Sequence, residues 1–205
     1  MCDELPEPDP NLVAAISYHS DDDIDSILAD FGEDLVRAGA AIGGIVQRNS
    51  KNDSGKLCAM AVIDLMTGSR IGISQTLGSG SVACKLDSAG LAEASRAVRD
   101  AIEAEVDLII VNKFSKQEAN GRGLRAEIAE AIQSGTPVLT AVPASCMEAW
   151  REFTGDRGTT LLCAREVIEA WWREISTRQA VRGIAALEAA AAELASLPRA
   201  SGRQA

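Results

Sequence analysis

Short apolar runs alternate along this chain with stripes at helical spacing, and this alternation restricts the fold more than any other feature. Leu12 to Tyr18 (LVAAISY) is too short for a buried helix and turns polar at once, as a strand covered on both faces does. Ser20 then precedes Asp21, Asp22 and Asp23, a hydroxyl N-cap with acids in the first turn. Ile24, Ile27, Leu28, Phe31 and Leu35 follow on one helical face, so the spacing predicts a helix from Asp21 to Arg37. Ala41 to Val46 reads as a second strand. Leu57 to Leu65 and Arg70 to Ser74 read as a hairpin turning at Met66, Thr67 and Gly68. A stripe of Leu91, Ala94, Val98 and Ile102 leads to the strand Leu108 to Val111. Then come a helix Leu124 to Gln133, a strand Pro137 to Val142, a helix Cys146 to Phe153, a strand Thr160 to Cys163 and a helix Arg165 to Ile175. The implied fold is α/β, a mostly parallel sheet flanked by helices with an inserted β-hairpin, in the layout of a P-loop NTPase.

With 205 residues and 46% hydrophobic side chains, the chain suits one compact domain, here 11–176, after a tail over 1–10. Past Thr177 the composition turns to alanine, with Val181, Ile184, Leu187, Leu194 and Leu197 on a loose helical stripe. The segment 177–205 reads as an Ala-rich helix and tail, either a homo-oligomerisation helix or one folded back on its own domain. A net charge of -10 repels nucleic-acid backbones and anionic membranes, so no nucleic acid is expected as a partner. The acidic, proline-rich start is unlike a signal peptide, and no apolar run is long enough to span a bilayer. The cytoplasm and no membrane insertion are the expectations. Five widely spaced cysteines without a CxxC pair argue against a disulfide framework and a structural zinc site. Cys58 and Cys163, in apolar strands, read as packing.

In a P-loop protein the turn after the first strand carries glycines and a lysine that surround phosphates. Here it reads Ser17-Tyr18-His19-Ser20-Asp21-Asp22-Asp23, with neither. Three carboxylates there repel a phosphate. They suit a divalent cation or a capped, solvated helix start. His19, the only histidine, reads as a loop or capping residue. The strand Leu108 to Val111 ends not in magnesium-binding acids but in Asn112 and Lys113. Metal-assisted phosphoryl transfer thus lacks both clamp and metal ligand, so no catalytic residues are expected.

In their place stand cations: Lys113, Lys116, Arg122 and Arg125 cluster at the carboxyl end of that strand, where open α/β sheets bind ligands. A second segment, Gly78, Ser79, Gly80, Ser81, Cys84 and Lys85, offers hydroxyls, backbone donors and a lysine suited to a small oxyanion, or is a plain surface connection. Lys85 beside Cys84 favours a thiolate there, a soft ligand and a nucleophile. The candidate ligand-binding set is Gly78, Ser79, Gly80, Ser81, Cys84, Lys85, Asn112, Lys113, Lys116 and Arg122.

The segments Ile73 to Ser81, Cys84 to Asp87 and Val111 to Gly123, with the Ala149-Trp150 and Trp171-Trp172 pairs, resemble a bacterial family of uncharacterised proteins, domain of unknown function 2478. The resemblance spans about Leu12 to Trp172. That family often neighbours molybdate-transport genes, so the resemblance implies a role in molybdenum or tungsten handling. It also implies distant similarity to small P-loop nucleoside-triphosphatases, from which Asn112, Lys113 and the first loop depart.

Three functions follow. The first is non-catalytic binding of a small oxyanion, molybdate or tungstate, by the Gly78 to Lys85 loop with Lys113, Lys116 and Arg122 as countercharge. The second is a divergent nucleotide-binding protein or nucleoside-triphosphatase with a replaced phosphate site. The third is a protein-interaction module using Trp150, Trp171, Trp172 and the Ala-rich helix.

Overall fold

The computed structural model describes residues 10–51, 57–75 and 85–196. Among these residues nine strands form, in chain order β1 (Val13–Tyr18), β2 (Ile42–Lys51), β3 (Leu57–Asp64), β4 (Arg70–Gly72), β5 (Ser74–Gln75), β6 (Lys85–Leu86), β7 (Leu108–Val111), β8 (Val138–Pro143) and β9 (Thr159–Leu162). The helices are α1 (Ile24–Arg37), α2 (Ser88–Glu103), α3 (Lys116–Ala119), α4 (Arg125–Gln133), α5 (Met147–Thr154) and α6 (Arg165–Ser196). Seven strands make one sheet in the order β4-β3-β2-β7-β8-β1-β9, while β5 and β6 pair as a separate ribbon. β2, β7, β8, β1 and β9 run parallel, and β3 and β4 add the antiparallel edge. The α/β layout read from the alternation is therefore the observed one.

The central strands are apolar because both faces are covered. Leu108, Ile109, Ile110 and Val111 have no exposed surface. Ile109 and Val111 join the core that α2 closes with Ala94, Ala97, Val98 and Ala101. Ile110 points the opposite way, to α1, where its side chain and that of Leu65 would lie 3.3 and 3.1 Å from a Cβ on Gly32. In β2, Gly44 adopts φ +92°, and a Cβ there would stand 2.2 Å from the Ile110 carbonyl oxygen. Only glycine permits β2 and β7 to approach in this way.

Several expected boundaries are corrected. α1 starts at Ile24, not Asp21. The His19 amide donates to the Asp22 carboxylate at 2.7 Å, and the Asp22 amide returns to the His19 carbonyl at 3.2 Å. This turn consumes the aspartate run, and Asp23 rather than Ser20 takes the N-cap position. β2 continues past Val46 to Lys51 despite its polar sequence, because Gln47 to Lys51 pair with β3. The second arm of the hairpin stops at Gly72, and Ser74 and Gln75 leave to pair with Leu86 and Lys85. The four-residue α3, which the sequence pattern does not mark, lies in the cationic segment between β7 and α4. Cys163 falls just beyond β9, half-buried, rather than inside a strand.

The chain divides into two compact units, one ending at Glu169 and the other beginning at Ala170. In the second unit α6 continues unbroken to Ser196, so the helix read to Ile175 and the Ala-rich helix read from 177 are one element. Its Trp171 and Trp172 ring centroids lie 6.5 Å apart. No described helix is long and apolar enough to cross a membrane.

Candidate functional site

Backbone pairing places the residues after β7. The Asn112 amide donates to the Ile45 carbonyl in β2 at 3.1 Å, and the Phe114 amide to the Ala141 carbonyl in β8 at 3.0 Å. Both neighbouring strands thus hold Asn112, Lys113 and Phe114 at the carboxyl edge of the sheet, beside the end of β1. The Asn112–Lys113 peptide bond is cis.

The organising group at this edge is Asp25, in the first turn of α1. Its Oδ1 accepts from Lys113 Nζ at 2.8 Å and from Asn112 Nδ2 at 3.0 Å. Its Oδ2 accepts from Asn49 Nδ2 at 2.8 Å, and Asn49 in turn accepts from Gln47 Nε2 at 2.8 Å. The side chains of Lys113 and Asp25 retain only 20% and 18% of their exposure, so the ion pair is shielded from water. Lys113 Nζ also lies 5.3 Å from the centre of the Tyr18 ring. Burial pushes the Tyr18 hydroxyl pKa above its ordinary value, and the Lys113 charge opposes the shift only in part, so the phenol keeps its proton at neutral pH.

Glu118 organises the loop after Lys113. Only 6% exposed, it accepts from the Ser115 amide at 2.9 Å, the Ser115 hydroxyl at 3.1 Å and the Leu124 amide at 3.1 Å. This is a capping box on α3 whose carboxylate also ties down the start of α4. Arg125 reinforces it, donating to the Glu118 carbonyl at 3.0 Å with its guanidinium 4.3 Å from the centre of the Phe153 ring.

Beside these groups lies a cavity of about 350 Å³. Its lining mixes aliphatic side chains, Ile45, Val62, Ile73, Leu91 and Leu124 among them, with polar ones, among them Tyr18, Gln47, Asn112, Lys113 and Glu118. Asn112 is 3% exposed, and its Oδ1 has no hydrogen-bond partner among the described residues. Because Nδ2 is committed to the Asp25 carboxylate, the amide cannot turn over to exchange the two atoms.

Of the candidate ligand-binding residues, the structure brings Asn112 and Lys113 together at the cavity. Lys116 and Arg122 are exposed on the adjoining segment and are not among the residues lining the cavity. Lys85 opens β6, and its side chain, together with Gly78, Ser79, Gly80, Ser81 and Cys84, lies outside the described residues. Asp21, Asp22 and Asp23 do not gather a metal site: among the described residues no three His, Cys, Asp or Glu side chains are grouped to hold an ion. The imidazole of His19 is mostly exposed, with Nδ1 3.9 Å from Asp22. Burial, with Asp22 and Asp23 nearby, raises the Cys163 thiol pKa and disfavours its thiolate. Trp150, offered as part of an interaction surface, is instead core, packed edge-on against Phe114 with ring centres 5.1 Å apart.

The roles of Asp25 and the half-buried Tyr18 escape a reading of the sequence alone. Asp25 follows three other aspartates and looks like one more solvated acid at a helix start. Only the pairing of β1, β8 and β7 brings it to Lys113, far along the chain.

Fold and site together define an α/β protein of P-loop layout with a shielded Lys113–Asp25 ion pair at the carboxyl edge of its sheet. The chain belongs to the family described as Protein of unknown function (DUF2478), whose profile matches residues 13–171. It is 65% identical over 175 residues to the Molybdenum import ATP-binding protein ModC 2 of Bradyrhizobium diazoefficiens. That match covers 85% of this chain and 20% of the relative, so the chain spans about a fifth of the length of that protein. Among solved structures it is similar to that titled Solution Structure of a Human Cancer-Related Nucleoside Triphosphatase. The TM-score is 0.54 at 13% identity, over 80% of this chain and 95% of the other, a likeness of fold.

Proposed function

We propose that this chain is a non-hydrolysing binding domain that serves molybdenum handling, with a small oxyanion, molybdate or tungstate, as its ligand. The observation that carries the first part is the Lys113–Asp25 pair, 2.8 Å long and largely shielded. A carboxylate already neutralised by a lysine and two amides is a poor ligand for the magnesium of a nucleotide. A lysine already neutralised by a carboxylate offers little charge to a triphosphate. Molybdenum handling is supported by the printed name of the relative, which concerns a protein of which this chain matches a fifth.

The oxyanion reading draws on the Gly78 to Lys85 segment and on the exposed Lys116 and Arg122, since the charge of Lys113 is already met by Asp25. Two or three charge-assisted hydrogen bonds of about 1.5–3 kcal/mol each are enough for roughly micromolar retention. Calorimetry with molybdate, tungstate, sulfate and phosphate, beside a phosphate-release assay with ATP and GTP in magnesium, tests it. Saturable heat with molybdate or tungstate and no release are expected. Magnesium-dependent turnover abolished by Lys113→Ala would replace this reading with nucleotide hydrolysis, and no heat with any anion would remove the ligand assignment.

A further inference from the structure

The distal part of α6 has a surface that the candidate site does not use. From Ala180 to Ala191 every residue is exposed, so no face of the helix is covered there. Val181, Ile184 and Leu187 are 62%, 58% and 73% exposed. Arg182 and Glu188 are the only charged residues in that stretch. A helix of this length is marginal alone in water, and one with so little charge is stabilised when another surface covers it.

Spacing and charge select that surface. Ala180, Ile184, Leu187 and Ala191 recur at intervals of four, three and four residues, the seam of a coiled coil, and in the sequence the next step of three falls on Leu194. Ile184 takes position a and Leu187 position d, the combination that favours two parallel strands. Arg178, Arg182 and Glu188 fall off the seam at b, f and e, and Arg178 is already paired with Glu174 on its own helix. In a parallel pair the flanking g and e positions set Ser176 against Val181 and Gly183 against Glu188, so no like charges meet between copies. A membrane surface would call for a basic polar face, which two arginines and a glutamate do not supply.

We propose that α6 pairs with α6 of a second copy of this chain as a parallel two-stranded coiled coil, with Ile184 and Leu187 in its central layers and Val181 beside them. Thr177 to Ser196 is about 30 Å of helix and offers roughly 300 Å² of envelope per copy. A standard interface buries about 800 Å² per partner, so the pair is reversible and associates in the micromolar range. Neither the oxyanion reading nor the Asp25–Lys113 pair enters into it.

Sedimentation equilibrium of the full chain from micromolar to millimolar concentration is the test, with growth toward the mass of two chains expected. Ala191→Ile fills position a, whereas Ala189→Ile adds the same side chain at f, away from the seam. The first should tighten association at least tenfold and the second leave it unchanged, while Leu187→Asp should abolish it without altering the thermal unfolding of the α/β domain. Mild oxidation of Leu187→Cys, followed by peptide mapping, should give a cross-link between the two copies of position 187. A monomer throughout, in both the unaltered chain and Ala191→Ile, overturns the proposal, as do equal gains at positions 191 and 189. A trimer, or a dimer without the 187 cross-link, overturns the parallel two-stranded arrangement. A monomer that sediments with phosphatidylglycerol vesicles would assign the face to a membrane instead.

Discussion

Asp25 and Lys113 meet across 2.8 Å although one opens the first helix and the other follows the seventh strand. Each is more than three-quarters shielded from water. Lys113→Met leaves the carboxylate buried with only Asn49 and Asn112 as donors. Breaking a fully buried pair costs about 3–5 kcal/mol, and the residual exposure here lowers the expectation to about 1–3 kcal/mol. Urea unfolding of Lys113→Met, Asp25→Asn and the double variant should show the double variant less destabilised than the sum of the two. Strict additivity would mean that the pair contributes no coupling.

Removing the carboxylate of Glu118 should unfasten the loop that follows. Glu118→Ala strips the Ser115 and Leu124 amides and the Ser115 hydroxyl of their acceptor, at an expected cost of about 2–4 kcal/mol. Hydrogen exchange should quicken at the Leu124 amide before the β7 amides change. Unchanged protection at Leu124 would contradict the anchoring role.

Gly44→Ala is expected to be among the most damaging single-methyl additions in the chain. The new Cβ meets the Ile110 carbonyl oxygen at 2.2 Å in a backbone conformation of φ +92°. Left-handed strain alone costs about 1–3 kcal/mol, and the collision adds to it. Thermal unfolding followed by circular dichroism should show a large loss of Tm, whereas Gly68→Ala, with open space around the position, should lose only the strain contribution.

Stability should fall in acid partly through Asp34. Its pKa is lowered chiefly by the hydrogen bond from Arg165, at 2.8 Å, with further help from Arg37. A depressed carboxylate pKa contributes stability that is fully present above the unfolded value of 3.8 and lost as pH falls through the lower folded value. Asp34→Asn should therefore lower Tm at pH 7, with the difference from the unaltered protein shrinking below about pH 3.8. A pH-independent difference would assign the effect to packing instead.

The sheet was legible because its strands are buried on both faces and so stand out as apolar runs. Leu108 to Val111 needed no adjustment. Lys51 and Gln75 lie in strands that no apolar pattern marks, and only backbone pairing places them there. At the site, the amide and the cation that follow β7, Asn112 and Lys113, could be read directly, as could the lack of glycine and lysine in the turn after β1. What Lys113 does could not, because its partner Asp25 sits in another helix, and a positive charge in a sequence gives no sign of being cancelled in space. The orphaned Asn112 oxygen depends on the same partner, since Asp25 decides which end of the amide is free.

The Asp25–Lys113 pair also acts as a ratchet on change. Substituting either residue alone strands the other charge in a shielded place, so any route that changes one of the two positions at a time passes through a less stable protein. Replacing the pair without that loss needs both positions to change together.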